Sequence, residues 1–159
     1  MKTIDKQYIL KIMANQPLHT FYGVRNRCII LTMWKCGLTV SEICKLKIAD
    51  IGINHISING RSIPMDFEVS KTMHHLQGME QVTNHVFCSF HGIGLNPRTI
   101  QSNLKYWAVN CSVPRDLACP SVFRHTYGSN LDKAGYSFKE IQALMGLKLM
   151  DNARVYGRK

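Results

Sequence analysis

Residues 121–156 read SVFRHTYGSNLDKAGYSFKEIQALMGLKLMDNARVY. Their caps, glycines and apolar spacing predict three consecutive helices. The first runs from about Ser121 to Lys133 and is ended by Gly135. Ser137-Phe138-Lys139-Glu140 has the spacing of a capping box, in which a serine and a glutamate three residues on satisfy each other's backbone N–H groups. That box opens a second helix ended by Gly146, and a short third helix should hold Asn152 to Tyr156.

Upstream, Asn96-Pro97 reads as an N-cap followed by a proline in the first turn, opening a helix to about Asn110. Its apolar stripe is Ile100, Leu104, Trp107 and Cys111, while Arg98, Ser102 and Lys105 share another face at helical spacing and are free to point outward. His55-Ile56-Ser57-Ile58, Asn59-Gly60 and Arg61-Ser62-Ile63-Pro64 form alternating segments around an Asn-Gly pair, the signal for a tight hairpin with a type I′ turn. Helical spacing returns from Asp66 to about Leu76, and Val86-Phe87-Cys88 reads as another short strand. The first third is helical, from Thr3 to about Asn15, from about Tyr22 to Cys36 before Gly37, and again from the capping-box spacing of Thr39-Val40-Ser41-Glu42. The expected fold class is therefore mainly α with a small β-hairpin or sheet, an α+β arrangement in one domain over residues 1–159.

Twenty Lys plus Arg against ten Asp plus Glu give 159 residues a formal charge of +10. With 45% hydrophobic and 19% charged residues, the chain can bury an ordinary core, which excludes an acidic or disordered solvating chain. The apolar stretch around Cys28 to Trp34 is far short of the roughly 20 residues that span a bilayer. The start, Met1-Lys2-Thr3-Ile4-Asp5, lacks the apolar block of a signal peptide, so a cytoplasmic protein without a membrane partner is expected. Six cysteines, at 28, 36, 44, 88, 111 and 119, form no C-x-x-C pair and read as free, mostly buried thiols. A basic chain of this kind most commonly meets nucleic acid as its polyanion, because each cation docked on a phosphate releases condensed counterion.

Arg124-His125-Thr126, Gly135, Ile141-Gln142, Leu144-Met145-Gly146 and Arg154-Val155-Tyr156 resemble the catalytic part of the tyrosine recombinases, or phage integrases. A second block, Gly37 to Leu46 followed by Asp50-Ile51, looks like the turn and helix that carry that family's first active-site arginine. The resemblance covers nearly the whole chain and implies the tyrosine-recombinase catalytic-domain fold. In that family a tyrosine hydroxyl attacks a DNA phosphodiester to form a 3′-phosphotyrosyl bond. Two arginines hold the nonbridging oxygens, a hairpin lysine protonates the leaving 5′-oxygen, and histidines assist.

Carried onto this chain, Arg124 matches the second arginine and Tyr156 the nucleophile. The first arginine position holds Thr39, the histidine before Arg124 is replaced by Ser121, and the later histidine or tryptophan by Leu147. The hairpin lysine has no counterpart; Arg61 is the nearest cation, and its permanently protonated guanidinium is a poor general acid. Lys35, one turn before Thr39, is a candidate substitute for the missing arginine, as are Lys148 and Arg154. Loss of one transition-state donor costs on the order of 100- to 1000-fold in rate, so a degenerate, poorly cleaving regulator or accessory factor is expected. The alternatives are an active recombinase working through Tyr156 and a protein-interaction module. The resemblance places Arg61, Arg98, Lys105, Arg124, Lys148 and Arg154 against double-stranded DNA. It also implies a homo-oligomer or a second recombinase protein as partner, a nucleoid-associated or mobile-element setting, and no cofactor. Typical members carry an N-terminal clamp domain and a segment beyond the tyrosine; here a short helix comes first and the sequence runs out at Gly157-Arg158-Lys159.

Bland readings stand beside these. Tyr156 also reads as a packed tyrosine, Arg124 as a helix arginine paired with Glu42, and Ser121 as the cap of its helix. His85, Cys88 and His91 are spaced by three, but in a strand that spacing alternates faces, and adjacent His74-His75 diverge by about 100° in a helix, so no metal site is expected.

Overall fold

One helix of fifteen residues, Phe21–Lys35, is buried on nearly every side, the pattern of a helix that other elements surround. The computed structural model describes residues 1–148 and 150–156. In chain order the elements are α1 Lys6–Ala14, α2 Phe21–Lys35, α3 Val40–Lys45, β1 His55–Ile58, β2 Arg61–Pro64, α4 Phe67–Gln77, α5 Pro97–Asn110, α6 Pro120–Lys133, α7 Phe138–Met145 and α8 Met150–Arg154. Helices α1, α3, α4 and α6 all pack on α2, and the two strands form one antiparallel hairpin. This is the mainly helical architecture with a small sheet that the sequence led us to expect.

Local chemistry sets the element ends. Thr39 and Glu42 form a reciprocal capping box at α3, Ser137 and Glu140 another at α7, and Asn96 and Asp66 cap α5 and α4. Asn59 (φ 48°) and Gly60 (φ 75°) both lie in the left-handed region, as a type I′ turn requires, and the register pairs Ile56 with Ile63 and Ile58 with Arg61. Ile56 and Ile63 are fully buried, so one face of the hairpin rests on the core.

Most apolar side chains, from Ile4 to Phe123, form one core. A smaller cluster joins Tyr127 and Leu131 of α6 to Ile141 and Met145 of α7 and Ala153 of α8, with Leu147 and Tyr156 packed against it. The N-terminal residues reach α6 and the turn before it: the Ile4 N–H donates to Thr126 Oγ1 on α6 at 2.9 Å, and Lys2 pairs with Asp116 in the preceding turn at 2.8 Å. Arg25 is almost wholly buried. Its guanidinium donates to the Cys88 carbonyl and to Asn26 Oδ1, and stands 5.0 Å over the Tyr22 ring.

Several local expectations are corrected. Val86-Phe87-Cys88 is not a strand: only isolated bridges, Lys47 with His85 and Cys88 with Gly94, touch this stretch, because each neighbouring segment offers a single pairing. All three side chains are buried. α6 begins at Pro120 after Cys119, so Ser121 lies inside the first turn and is not the N-cap. α8 starts at Met150 and ends at Arg154, which leaves Tyr156 just beyond it, its N–H on the Ala153 carbonyl. Cys88 is buried with Sγ on the Gln81 carbonyl while His91 is exposed. All six cysteines are free; Cys111 and Cys119 are partly exposed and the other four buried, with burial pushing Cys36 up to about 12 and Cys44 to about 11. Residues 157–159, which carried the expectation about a missing C-terminal segment, lie outside the described residues. No helix among the described residues is long and apolar enough to cross a membrane.

The loop before α2 crosses that helix in direct contact: a Cβ at Gly23 would overlap the Pro17 carbonyl. Gly23→Ala is expected to destabilise the fold by about 3 kcal/mol, the upper range for overpacking, measured by urea denaturation with an unchanged m-value.

Candidate functional site

The capping box of α3 does more than end a helix, because its glutamate is also the anchor for the hairpin. Glu42 Oε1 accepts the Thr39 N–H at 3.0 Å, and Oε2 accepts Asn59 Nδ2 at 3.1 Å and Arg61 Nη1 at 2.6 Å. Both partners of the ion pair are largely inside, with side-chain exposures of 13% for Arg61 and 10% for Glu42. Burial pushes the Glu42 carboxyl up, but the Arg61 and Thr39 hydrogen bonds and the charges of Arg61 and Arg124 outweigh it and hold the group below its ordinary value. Arg61 also lies across the end of α7: Gly146, in the left-handed conformation (φ 67°), would place a Cβ 2.6 Å from Arg61 Nη1. Only a glycine meets both demands there.

Arg124 projects from α6 into the same region. Its Nη1 donates to the Gly37 carbonyl at 2.5 Å and its Nη2 to the Met145 carbonyl at 2.7 Å, joining the turn before α3 to the C-terminal end of α7. Burial lowers its pKa, opposed chiefly by the charge of Glu42; a guanidinium stays protonated at neutral pH regardless. The direct pairing of Arg124 with Glu42 does not occur, since Arg61 occupies that carboxylate. Arg124 therefore keeps N–H groups without a protein acceptor among the described residues.

Two open clefts meet at Arg124. One, of about 360 Å³, is lined by Thr39, Gln101, Lys105, Cys119, Ser121 and Arg124 together with small apolar groups. The other, of about 410 Å³, includes Ser41, Lys45, Arg61, Gly146 and Lys148 with Arg124. Thr39 and Ser121 thus face one cavity with Arg124. Leu147 is half-buried against the smaller cluster.

Tyr156 packs against α6 where Gly128 leaves room for its ring; any Cβ there would overlap it. The ring centroid is 6.0 Å from that of His125. Burial raises the Tyr156 pKa, partly offset by the positive charge of Arg124, so the phenol is protonated at neutral pH. Burial, the chain terminus and Arg124 together lower the His125 pKa despite a bond to the Lys2 backbone.

Other cations separate by partner. The Nζ of Lys35, which the sequence offered as a substitute cation, is held by Asp66 at 2.8 Å, the cap of α4, and by Glu68 at 3.0 Å in its first turn. Arg61 is turned inward to Glu42. Arg98 is exposed on α5, Lys148 is exposed beside the second cleft, and Arg154 is exposed with its guanidinium 6.0 Å over the Phe138 ring. Among the described residues no cluster of His, Cys, Asp or Glu has the makings of a metal site. Sequence reasoning missed Gln101 and Cys119 as cleft walls, which carry no local signal. It also missed Gly128 as the seat of Tyr156, although a glycine inside a helix, costing about 1 kcal/mol relative to alanine, does signal close approach.

The family profile described as the phage integrase family matches residues 2–159. The chain belongs to that family. It is 23% identical over 172 aligned residues to the tyrosine recombinase XerC of Myxococcus xanthus, covering 98% of this chain and 57% of that protein. The crystal structure of XerA recombinase matches with a TM-score of 0.85 at 18% identity, covering 98% of this chain and 58% of that one. The Tn1549 transposon integrase, solved in complex with circular intermediate DNA, matches with a TM-score of 0.82 at 17% identity over 99% of this chain and 62% of that one. This phage integrase family chain therefore has the fold of tyrosine recombinase catalytic domains and spans somewhat more than half the length of these relatives.

Glu42 supplies a pH signature. Because its folded pKa is depressed, its stabilisation is present above the unfolded value of about 4.3 and is lost as pH falls through the lower folded value. Thermal melts from pH 7 to 3 should show this acid loss in the wild type. Glu42→Gln should be weaker by about 3 kcal/mol at pH 7 and show a smaller fall on acidification.

Proposed function

We propose that this chain is a double-stranded DNA-binding domain of the phage integrase family that holds DNA without efficient strand cleavage, serving as a regulator or accessory factor. One observation carries the reading: the cavity where Thr39 and Ser121 replace the family's arginine and histidine is lined by a single guanidinium, that of Arg124, and no imidazole. Phosphoryl transfer at a tyrosine depends on cations placed where charge develops in the transition state. Arg61, the nearest cation to the absent hairpin lysine, is engaged by Glu42 and cannot give up a proton to a leaving oxygen. The excess of positive charge and the exposure of Arg98 and Lys148 support binding, as does the DNA complex of the Tn1549 neighbour.

A second reading, an active recombinase forming a 3′-phosphotyrosyl link, is favoured by one feature: Tyr156 lies within the electrostatic reach of Arg124. In that case the phenol must lose its proton to a base, since burial has raised its pKa.

A nicked suicide duplex separates the two. No covalent protein–DNA band is expected from the wild type; a band that disappears in Tyr156→Phe establishes the cleaving enzyme instead. Duplex affinity should fall steeply with salt, and Arg98→Ala should flatten the plot of log affinity against log salt by about one unit, as loss of one phosphate contact does. Undetectable or salt-independent binding across varied duplexes points to a protein-interaction module.

A further inference from the structure

The family positions around Arg124 are short of cations, yet the cleft they border is not. Lys105 reaches it from α5, a different element from those that carry Thr39 and Arg124, and lines the same cavity of about 360 Å³. Its Nζ lies 3.8 Å from Cys119 Sγ and has no carboxylate partner among the described residues. No Asp or Glu lines this cleft, whereas Glu42 sits in the neighbouring one. Lys105 thus differs from Lys35 and Arg61, whose charges are answered by Asp66, Glu68 and Glu42. Two positive charges facing a partly enclosed space without a counterion attract an anion more strongly than the same charges in open solvent.

Steric room agrees with charge. Thr39 and Ser121 are short, so the volume that longer side chains would fill is open, and Gln101, Thr39 and Ser121 add hydrogen-bonding groups to its wall. We propose that Lys105 is a phosphate ligand of this site, gripping with Arg124 one DNA phosphodiester in the space that Thr39 and Ser121 leave open. This rests on the DNA-binding reading above and names the group that makes binding survive the loss of the arginine. An ammonium holds an anion as a point charge and lacks the planar fork that orients two oxygens at once.

Cys119 beside Lys105 provides a reporter. In a Cys111→Ser background it is the one partly exposed thiol among the six cysteines. Its alkylation rate would be measured with and without saturating duplex, alongside affinity at several salt concentrations. Lys105→Ala should weaken binding by about tenfold, the scale of one charge-assisted hydrogen bond, and flatten the salt plot by about one unit. Lys105→Arg should keep most of the affinity, Thr39→Arg should restore binding to Lys105→Ala, and duplex should slow Cys119 alkylation in the parent and in Lys105→Arg. Arg98→Ala serves as the reference. If Arg98→Ala weakens binding while Lys105→Ala matches the parent, the role of Lys105 is overturned and the DNA reading stands. Unchanged Cys119 alkylation under saturating duplex overturns it as well. Absence of any duplex binding removes both readings together.

Discussion

The carboxylate of Glu42 takes hydrogen bonds from a backbone N–H, an asparagine amide and an arginine, and each donor comes from a segment that must be placed correctly. Thr39 belongs to the start of α3, Asn59 to the hairpin turn and Arg61 to the following strand. A largely buried carboxylate is costly unless its oxygens are satisfied, so the hairpin cannot leave α3 without exposing that cost. Arg61 extends the constraint to α7 by lying against Gly146, and Arg124 closes it by binding the carbonyls of Gly37 and Met145. The second cleft takes its walls from the elements held together here, and the first shares Thr39 and Arg124 with it while α5 supplies Gln101 and Lys105.

The same constraint shapes the chemistry. In binding Glu42, Arg61 turns inward and leaves Arg124 without a carboxylate partner among the described residues. Arg124 then presents its remaining N–H groups beside a cavity opened by the short side chains of Thr39 and Ser121. The result is a site arranged around one guanidinium and, from α5, one ammonium. Tyr156 sits nearby on Gly128, protonated and half-buried, in a satellite cluster rather than in the main core.

Features with a local cause were legible in the sequence. The capping boxes at Thr39 and Ser137, the Asn96 cap, the Asn59-Gly60 turn and the ends at Gly135 and Gly146 all involve residues within a few positions of one another. Val86-Phe87-Cys88 was misread because a strand exists only if a neighbour pairs along it, and each neighbour here supplies one bridge. Ser121 lies two positions beyond the observed cap, Cys119, because Pro120 itself occupies the first helical position. Spacing singled out Thr39, Ser121 and Leu147, but not the cavity that the first two share.

Sequence was enough to establish the order of most elements and the excess of positive charge. It was silent on which cations are available. Lys35 and Asp66 are 31 residues apart, and Arg61 and Glu42 are 19 apart, yet each pair is in contact. Lys105, with no such partner among the described residues, instead faces a cleft shared with Arg124. Coulomb energy depends on distance through space and on the dielectric between charges, and neither is encoded in position along the chain. Folding therefore decided which charges are cancelled by a carboxylate and which face an open cleft.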